Sequence, residues 1–254
     1  MSRITNIINN ARDELGDTNT SALRYTDDKL ISYLNEGIKS FVKTTKYLKE
    51  RLYLSLNQQS AIYDIGNYSY EVVRVEYNGE PVATYSMEEM DSIYPYWQSE
   101  TGTEVKAIVF DKHRKGKFRV YPRVEGSADI VTQNSPYGGL IDITIGDDDY
   151  QIPTLEDIDT DIDKYLVLYI IKKPKVVTIN TLDSELEISD EYDLAMVHYI
   201  KSRCLKTDTD INNRQFASEE LQEFIGYTRS TRVSEAKSNN ATHDRVTKYN
   251  GGFN

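Results

Sequence analysis

Cysteine occurs once in this 254-residue chain, at Cys204. A lone thiol cannot close an internal disulfide, which excludes the small secreted scaffolds that depend on such bridges. Long apolar runs are also missing. No stretch approaches the roughly 20 apolar residues of a membrane span, so no membrane partner is expected. The opening segment, Met1 to Gly16, has no apolar run of signal-peptide length, and the expected place of synthesis and residence is a cytosol, or an assembly that leaves it. Positive charge is scarce: 30 Lys and Arg face 41 Asp and Glu, for a net charge of −11. That balance argues against a general nucleic-acid coat, because phosphate affinity comes from clustered cations. Histidine is limited to His113, His198 and His243, whose spacing groups no nucleophile, base and orienting acid. No glycine-rich phosphate cradle is present either, since Lys115-Gly116-Lys117 lacks the upstream glycines. These absences point away from an enzyme, and no cofactor or catalytic residue is expected. Tryptophan appears once against twenty tyrosines, which fits strand-rich structure and surfaces buried against partners.

What is present begins with a helix. Over Thr26 to Lys49 the apolar residues Leu30, Ile31, Leu34, Ile38, Phe41 and Val42 form one stripe at helical spacing. Thr26 is placed to cap it, Asp27 and Asp28 suit its positive end, and Lys43, Lys46 and Lys49 its negative end. A shorter stripe of Ile4, Ile7, Ile8, Ala11 and Leu15 precedes it and stops at Gly16, a suitable left-handed cap. Residues 17 to 25 are polar and read as a loop. The next strong helical pattern lies from Ser189 to Tyr227, where Leu194, Val197, Ile200 and Cys204, then Phe216, Ala217, Leu221, Phe224 and Ile225, recur around the polar turn 207 to 213. The two ends of the chain are therefore expected to meet in one bundle.

Between them the period changes from helical to alternating. Strands are expected over Leu52 to Leu56, Ala61 to Ile65, Tyr70 to Tyr77 and Pro81 to Tyr85, with Asn78-Gly79 as a hairpin turn. Ser86 and Glu89 make a capping box for a two-turn helix ending near Ile93. Val105 to Phe110, Lys117 to Tyr121 and Ala128 to Gln133 read as a meander, and Lys164 to Ile171 and Lys175 to Ile179 as strands split by Pro174. The expected fold class is α+β: a bundle from both termini with a mostly antiparallel sheet inserted. Its divisions are residues 1–50 for the first helices, 51–187 for the insertion, 188–229 for the closing hairpin and 230–254 for an extended tail. Within the insertion, 138–163 is extra material with eight acids and no base over Asp147 to Asp163.

Candidate chemistry is sparse. Asp157, Asp159, Asp161 and Asp163 start like a calcium loop, but Ile162 and Leu168 stand where Gly and a bidentate Glu are needed. Asp208, Asp210, Asn212 and Glu219 fit the ligand spacing better, yet Asn213 replaces the glycine and the region reads equally as a helix turn, so no metal ligand is assigned. Cys204 sits on a helical stripe and reads as an inert buried thiol. His198 reads as a packed or interfacial side chain. Tyr94, Tyr96 and Trp97 form either a sugar or base platform or, more simply, a lid over the sheet. The basic turn with Lys112, Arg114, Lys115 and Lys117 is either a solvated tip or a charge contact to an acidic neighbour or to phosphates.

Four places together resemble the head-to-tail adaptor (connector ring) proteins of tailed bacteriophages, the short-tailed type especially. Tyr25-Thr-Asp-Asp-Lys-Leu-Ile-Ser-Tyr-Leu-Asn-Glu-Gly37 is similar to that family's opening helix. Met87-Glu-Glu-Met-Asp followed by Tyr94-Pro-Tyr-Trp97 resembles the short helix and tryptophan that cross its sheet. Gly116-Lys-Phe-Arg-Val-Tyr-Pro122 resembles its strand ending in Tyr-Pro, and Ile188-Ser-Asp-Glu-Tyr-Asp-Leu-Ala195 its closing helices. The resemblance implies a structural virion protein of the tail or neck, assembled in the host cytoplasm as a homo-oligomeric ring of about a dozen copies. It implies the portal protein and the next tail protein as partners, with DNA passing through the lumen without specific binding. The resemblance also implies a C-terminus that reaches into the portal, as adaptor C-termini in that family commonly do. Here the segment from Arg229 on is basic, with Arg229, Arg232, Lys237, Arg245 and Lys248 against Glu235 and Asp244. Arg232, Lys237, Arg245, Lys248, Tyr249 and Phe253 are accordingly the expected portal-docking arm. Two other classes remain: a receptor- or carbohydrate-binding tail component, suggested by the tyrosines and Trp97, and a metal-dependent enzyme using an acidic run.

The acidic segment is expected to be a surface insertion. Replacing 147–163 with a short Gly/Ser linker should leave helix content by circular dichroism and the melting temperature nearly unchanged; loss of soluble protein would show that the segment belongs to the core.

Overall fold

The computed structural model describes residues 2–55, 62–113, 116–124, 140–142, 165–207 and 211–249. Two compact units result, a helical one from Met1–Leu48 with Pro174–Asn254, and a β-rich one from Lys49–Lys173. The helices are α1 (Arg3–Leu15), α2 (Asp27–Thr45), α3 (Met87–Ile93), α4 (Asp193–Lys206) and α5 (Ile211–Tyr249), of which α3 belongs to the β-rich unit. The fold is α+β.

In the helical unit α4 is central, packing against α1, α2 and α5. The predicted stripe of α2 is the core: Leu30, Leu34, Phe41 and Val42 are fully buried, as are Ile4 and Ala11 on α1 and Ala195, Met196, Ile200 and Cys204 on α4. Each such Leu, Ile, Val, Phe or Met side chain contributes about 1.5–3 kcal/mol by leaving water. The polar link after α1 is tied down. Arg12 reaches Asp17 at 2.7 Å and Asp27 at 2.6 Å, while Asp17 accepts the backbone N–H groups of Arg24 and Tyr25. Arg12 and Asp17 are both buried, so their pairing is what makes the burial tolerable.

Several boundaries differ from expectation. α2 ends at Thr45, not Lys49, because Lys46 turns left-handed at φ 56° and Lys49 already opens a strand. Its 19 residues span about 28 Å at 1.5 Å per residue. Thr26 occupies the N-cap without a side-chain hydrogen bond. α4 starts at Asp193 after a short 3-10 turn, Asp190–Tyr192, and Leu194 is 48% exposed instead of lying on the stripe. Residues 175–178 form no strand. Val177 is instead held to Asn35 of α2 by two hydrogen bonds, and Pro174 onward clusters with the helices. The expected extended tail is helical as far as Tyr249. No proline or glycine lies between Gly226 and Gly251, so nothing in the backbone chemistry interrupts the helix; polarity alone had suggested disorder.

The β-rich unit contains β1 (Lys49–Ser55), β2 (Ile62–Asp64), β3 (Ser69–Tyr77), β4 (Glu80–Pro81), β5 (Ala83–Ser86), β6 (Thr101–Gly102), β7 (Ala107–Phe110), β8 (Lys117–Tyr121), β9 (Arg123–Val124), β10 (Leu140–Asp142) and β11 (Tyr165–Lys172). One sheet runs β1-β11-β3-β4, all antiparallel; a second runs β10-β2-β8-β7-β5, with parallel pairs at both edges; β6 and β9 pair separately. Within the expected extra material, Leu140–Asp142 thus adds an edge strand, while Ala128–Gln133 and Asp147–Asp163 lie outside the described residues. The Asn78-Gly79 turn holds both residues at positive φ, joining Tyr77 to Glu80 in register as a two-residue hairpin requires. Alternation along β7 and β8 feeds two cores. Ile108, Phe118 and Val120 join Leu52, Leu54, Val75, Leu166 and Leu168 of the first sheet, whereas Ala107, Val109 and Tyr121 pack with Met90 and Trp97 on the opposite face.

Leu34→Ala or Phe41→Ala should cost roughly 2–5 kcal/mol in urea denaturation, whereas Leu194→Ala should cost less than about 0.5 kcal/mol. The reverse order would place the helix faces wrongly.

Candidate functional site

The opening-helix sequence Leu34-Asn-Glu-Gly37 is explained residue by residue within the helical unit. Leu34 is core. Asn35 donates to the Val177 carbonyl at 2.7 Å and accepts its N–H at 2.8 Å. Glu36 pairs with Arg203 at 3.0 Å. Gly37 lets the Tyr199 ring lie against α2; a Cβ there would meet the ring at 3.0 Å. This motif therefore builds the seat of α4 on α2 and carries no chemistry of its own.

A groove of about 820 Å³ lies beside that seat, between α2, α4 and α5. Tyr199, Leu221, Phe224 and Ile225 form much of its apolar lining. Around them stand Arg203, Lys206, Arg214, Arg229 and Arg232, and no acid lines the groove. Arg203 is close enough to Glu36 for an ion pair, though its Nε makes no hydrogen bond, and it lies over the Tyr33 ring. Lys206, Arg214, Arg229 and Arg232 are exposed and form no ion pair among the described residues. In a chain of net charge −11 this is a concentrated positive site. Arg232, expected in the portal-docking arm, lines this groove together with Arg229. The helical spacing of Arg203 with Lys206, and of Arg229 with Arg232, was the available signal.

The other side of the α4–α5 hairpin is a charged lock. His198 Nδ1 lies 2.6 Å from Glu220 Oε2, and its ring stacks on Tyr227. Lys201 donates to Glu220 at 2.6 Å and to Glu14 of α1 at 2.5 Å. Burial pushes the Glu220 carboxyl up, but hydrogen bonds and charge from His198 and Lys201 outweigh it and hold the pKa below the ordinary value. Burial likewise pushes Lys201 down, and its two carboxylate partners leave it raised. His198 is thus a packed residue. Cys204 is also inert, its thiol pushed up to about 12 by burial.

The remaining candidates are scattered. Trp97 is 2% exposed and its indole N–H donates to Asp91 at 2.7 Å, so the face needed for a stacking platform is consumed by the second core. Tyr94 stacks on Tyr121 and Tyr96 is 81% exposed. Lys117 pairs with Asp64 at 3.2 Å and Lys112 with Glu88 at 3.5 Å, which dilutes the expected free charge of the basic turn. Arg114, Lys115, Asp208, Asp210 and Phe253 lie outside the described residues. Lys237, Arg245, Lys248 and Tyr249 are carried on the α5 backbone. Among the described residues no group of three or more His, Cys, Asp and Glu is arranged to hold a metal, and no helix is long and apolar enough to cross a membrane.

The family model described as SU10 adaptor protein matches residues 2–245, from the start of α1 into the last turns of α5. The chain belongs to the SU10 adaptor protein family. This is a family of bacteriophage head-to-tail adaptors, structural proteins that are normally without enzymatic activity, and it implies a place at the neck of the virion. No curated protein matches the chain. Membership agrees with the adaptor resemblance carried by the opening helix and the closing hairpin.

A carboxylate held below its ordinary pKa stabilises the fold above that ordinary value and loses the contribution as pH falls through the folded pKa. A raised lysine contributes below its ordinary value and loses the contribution as pH rises through its folded pKa. The α4–α5 lock is therefore intact at neutral pH and fails on the acid side. Glu220→Gln should destabilise the protein by roughly 1–3 kcal/mol at neutral pH, and the gap to wild type should narrow when denaturation is repeated at successively lower pH, through the folded pKa of Glu220. An unchanged gap would mean that the lock contributes through packing alone.

Proposed function

We propose that the chain is the repeating subunit of a ring that joins the portal to the tail around the DNA exit channel, and that the end of α5 is its portal-docking arm. The observation that carries this reading is the length of α5. Its 39 residues span about 58 Å, against about 21 Å for the 14 residues of α4 and about 28 Å for α2. Neither partner is long enough to cover it. The last buried side chain described on α5 is Thr231, and beyond it come Lys237, Arg245, Lys248 and Tyr249. A cationic helical end on an acidic chain is suited to a groove in a larger partner. A predominantly acidic chain also suits a channel that must let DNA pass, since it lacks the dense cations that retain phosphates. The turn from Lys112 to Lys117 is assigned a secondary role, a charge contact between ring neighbours through Arg114 and Lys115.

The helical extent of α5 also places the informative truncation. A cut after Tyr227 would remove the buried Thr228 and Thr231, so the cut belongs after Ala236. The truncated chain should fold with an unchanged melting temperature, should still form rings by native mass measurement, and should no longer bind portal rings. Unchanged portal affinity would assign docking to another surface.

A further inference from the structure

We propose that the groove between α2, α4 and α5 receives the acidic segment 147–163 of a neighbouring copy of this chain, so that the two form an interlocking contact between subunits. The inference deepens the ring reading and rests on it. The groove supplies five cations, no acid and an apolar lining of Tyr199, Leu221, Phe224 and Ile225. The segment supplies the complement: eight acids, no base, and Tyr150, Ile152, Leu155, Ile158 and Ile162 spaced between them. So many like charges in so short a segment repel one another. Its apolar residues nevertheless need a surface, and that surface must be cationic to accept it.

Charge alone would equally suit a nucleic acid. The lining decides against it, because phosphodiesters gain nothing from a floor of Leu221, Phe224 and Ile225, whereas interleaved Ile and Leu side chains leave water there. Bidentate arginines suit carboxylates, and four of the five cations are arginine. The contact is heterologous, groove on one copy and segment on the next, which is the arrangement that generates rings.

The direct test is a fluorescently labelled peptide of residues 147–163 titrated into the full chain by anisotropy. Binding is expected, weakened at least tenfold by Arg229→Ser with Arg232→Ser, and by Ser in place of Leu155, Ile158 and Ile162 in the peptide. Salt should weaken it further, since exposed charges are screened over about 8 Å at physiological ionic strength. Equal binding to wild type and the arginine variant would overturn the proposal, as would displacement of the peptide by a short DNA duplex that binds more tightly. Copy exchange is tested by sedimentation, using the arginine variant and a full-length variant with Asp157, Asp159, Asp161 and Asp163 changed to Asn. Each alone should stay monomeric, and their mixture should form pairs and stop there. Pairs absent from the mixture despite peptide binding would overturn the proposal in favour of a groove filled by its own chain. If both variants still form rings of native mass, the groove contact is wrong and the ring stands. If the pairs form but the native protein never closes into rings, the ring reading fails and the contact stands.

Discussion

The apolar face of α2 has no adequate partner in the first half of the chain, and everything else follows from how it is covered. Leu30, Leu34, Phe41 and Val42 are buried in a unit whose centre, α4, begins at Asp193, well over a hundred residues later. Bringing such distant segments together costs chain entropy. The insertion limits that cost by the way it opens and closes. β1, which starts immediately after the first helices, pairs antiparallel with β11, which ends just before the chain returns, with Lys49 opposite Ile171. Once these strands are zipped, the ends of the insertion are already neighbours, and the β-rich unit behaves as a closed excursion from the helical one.

Closure also explains why sequence features that look functional are structural. The Leu-Asn-Glu-Gly run on α2 is a packing device: a core side chain, a clamp on the returning strand at Val177, an ion-pair partner for Arg203 and a gap for the Tyr199 ring. Trp97 likewise closes the second core under α3, its N–H satisfied by Asp91. Side chains that look available for recognition in the sequence are consumed in building these two cores.

Charge is distributed unevenly over the α4–α5 hairpin. The chain is acidic overall, yet the groove beside the α2–α4 seat collects four arginines and a lysine without an acid among its lining residues. The opposite side of the same hairpin is neutralised internally by His198, Lys201, Glu14 and Glu220. One face of α4–α5 is thus locked, while the other carries Lys206, Arg214, Arg229 and Arg232 exposed and without an ion pair among the described residues.

Local physics was legible in the sequence. The apolar period of α2, the left-handed cap at Gly16, the Asn78-Gly79 hairpin and the Ser86–Glu89 capping box each depend on residues a few positions apart, and all are present. The α+β class and the pairing of the two termini followed from the same periodicities. What only the tertiary structure decided depends on residues far apart. Lys46 stops α2 early, ahead of a strand that pairs with β11. Val177 leaves strand geometry because Asn35 claims its backbone. The polar residues after Tyr227 continue as helix, because local composition reports solvation and not backbone conformation. The groove was invisible for the same reason: its arginines come from two helices and become a single site only when those helices pack, while a one-dimensional pattern records each as an ordinary solvated charge.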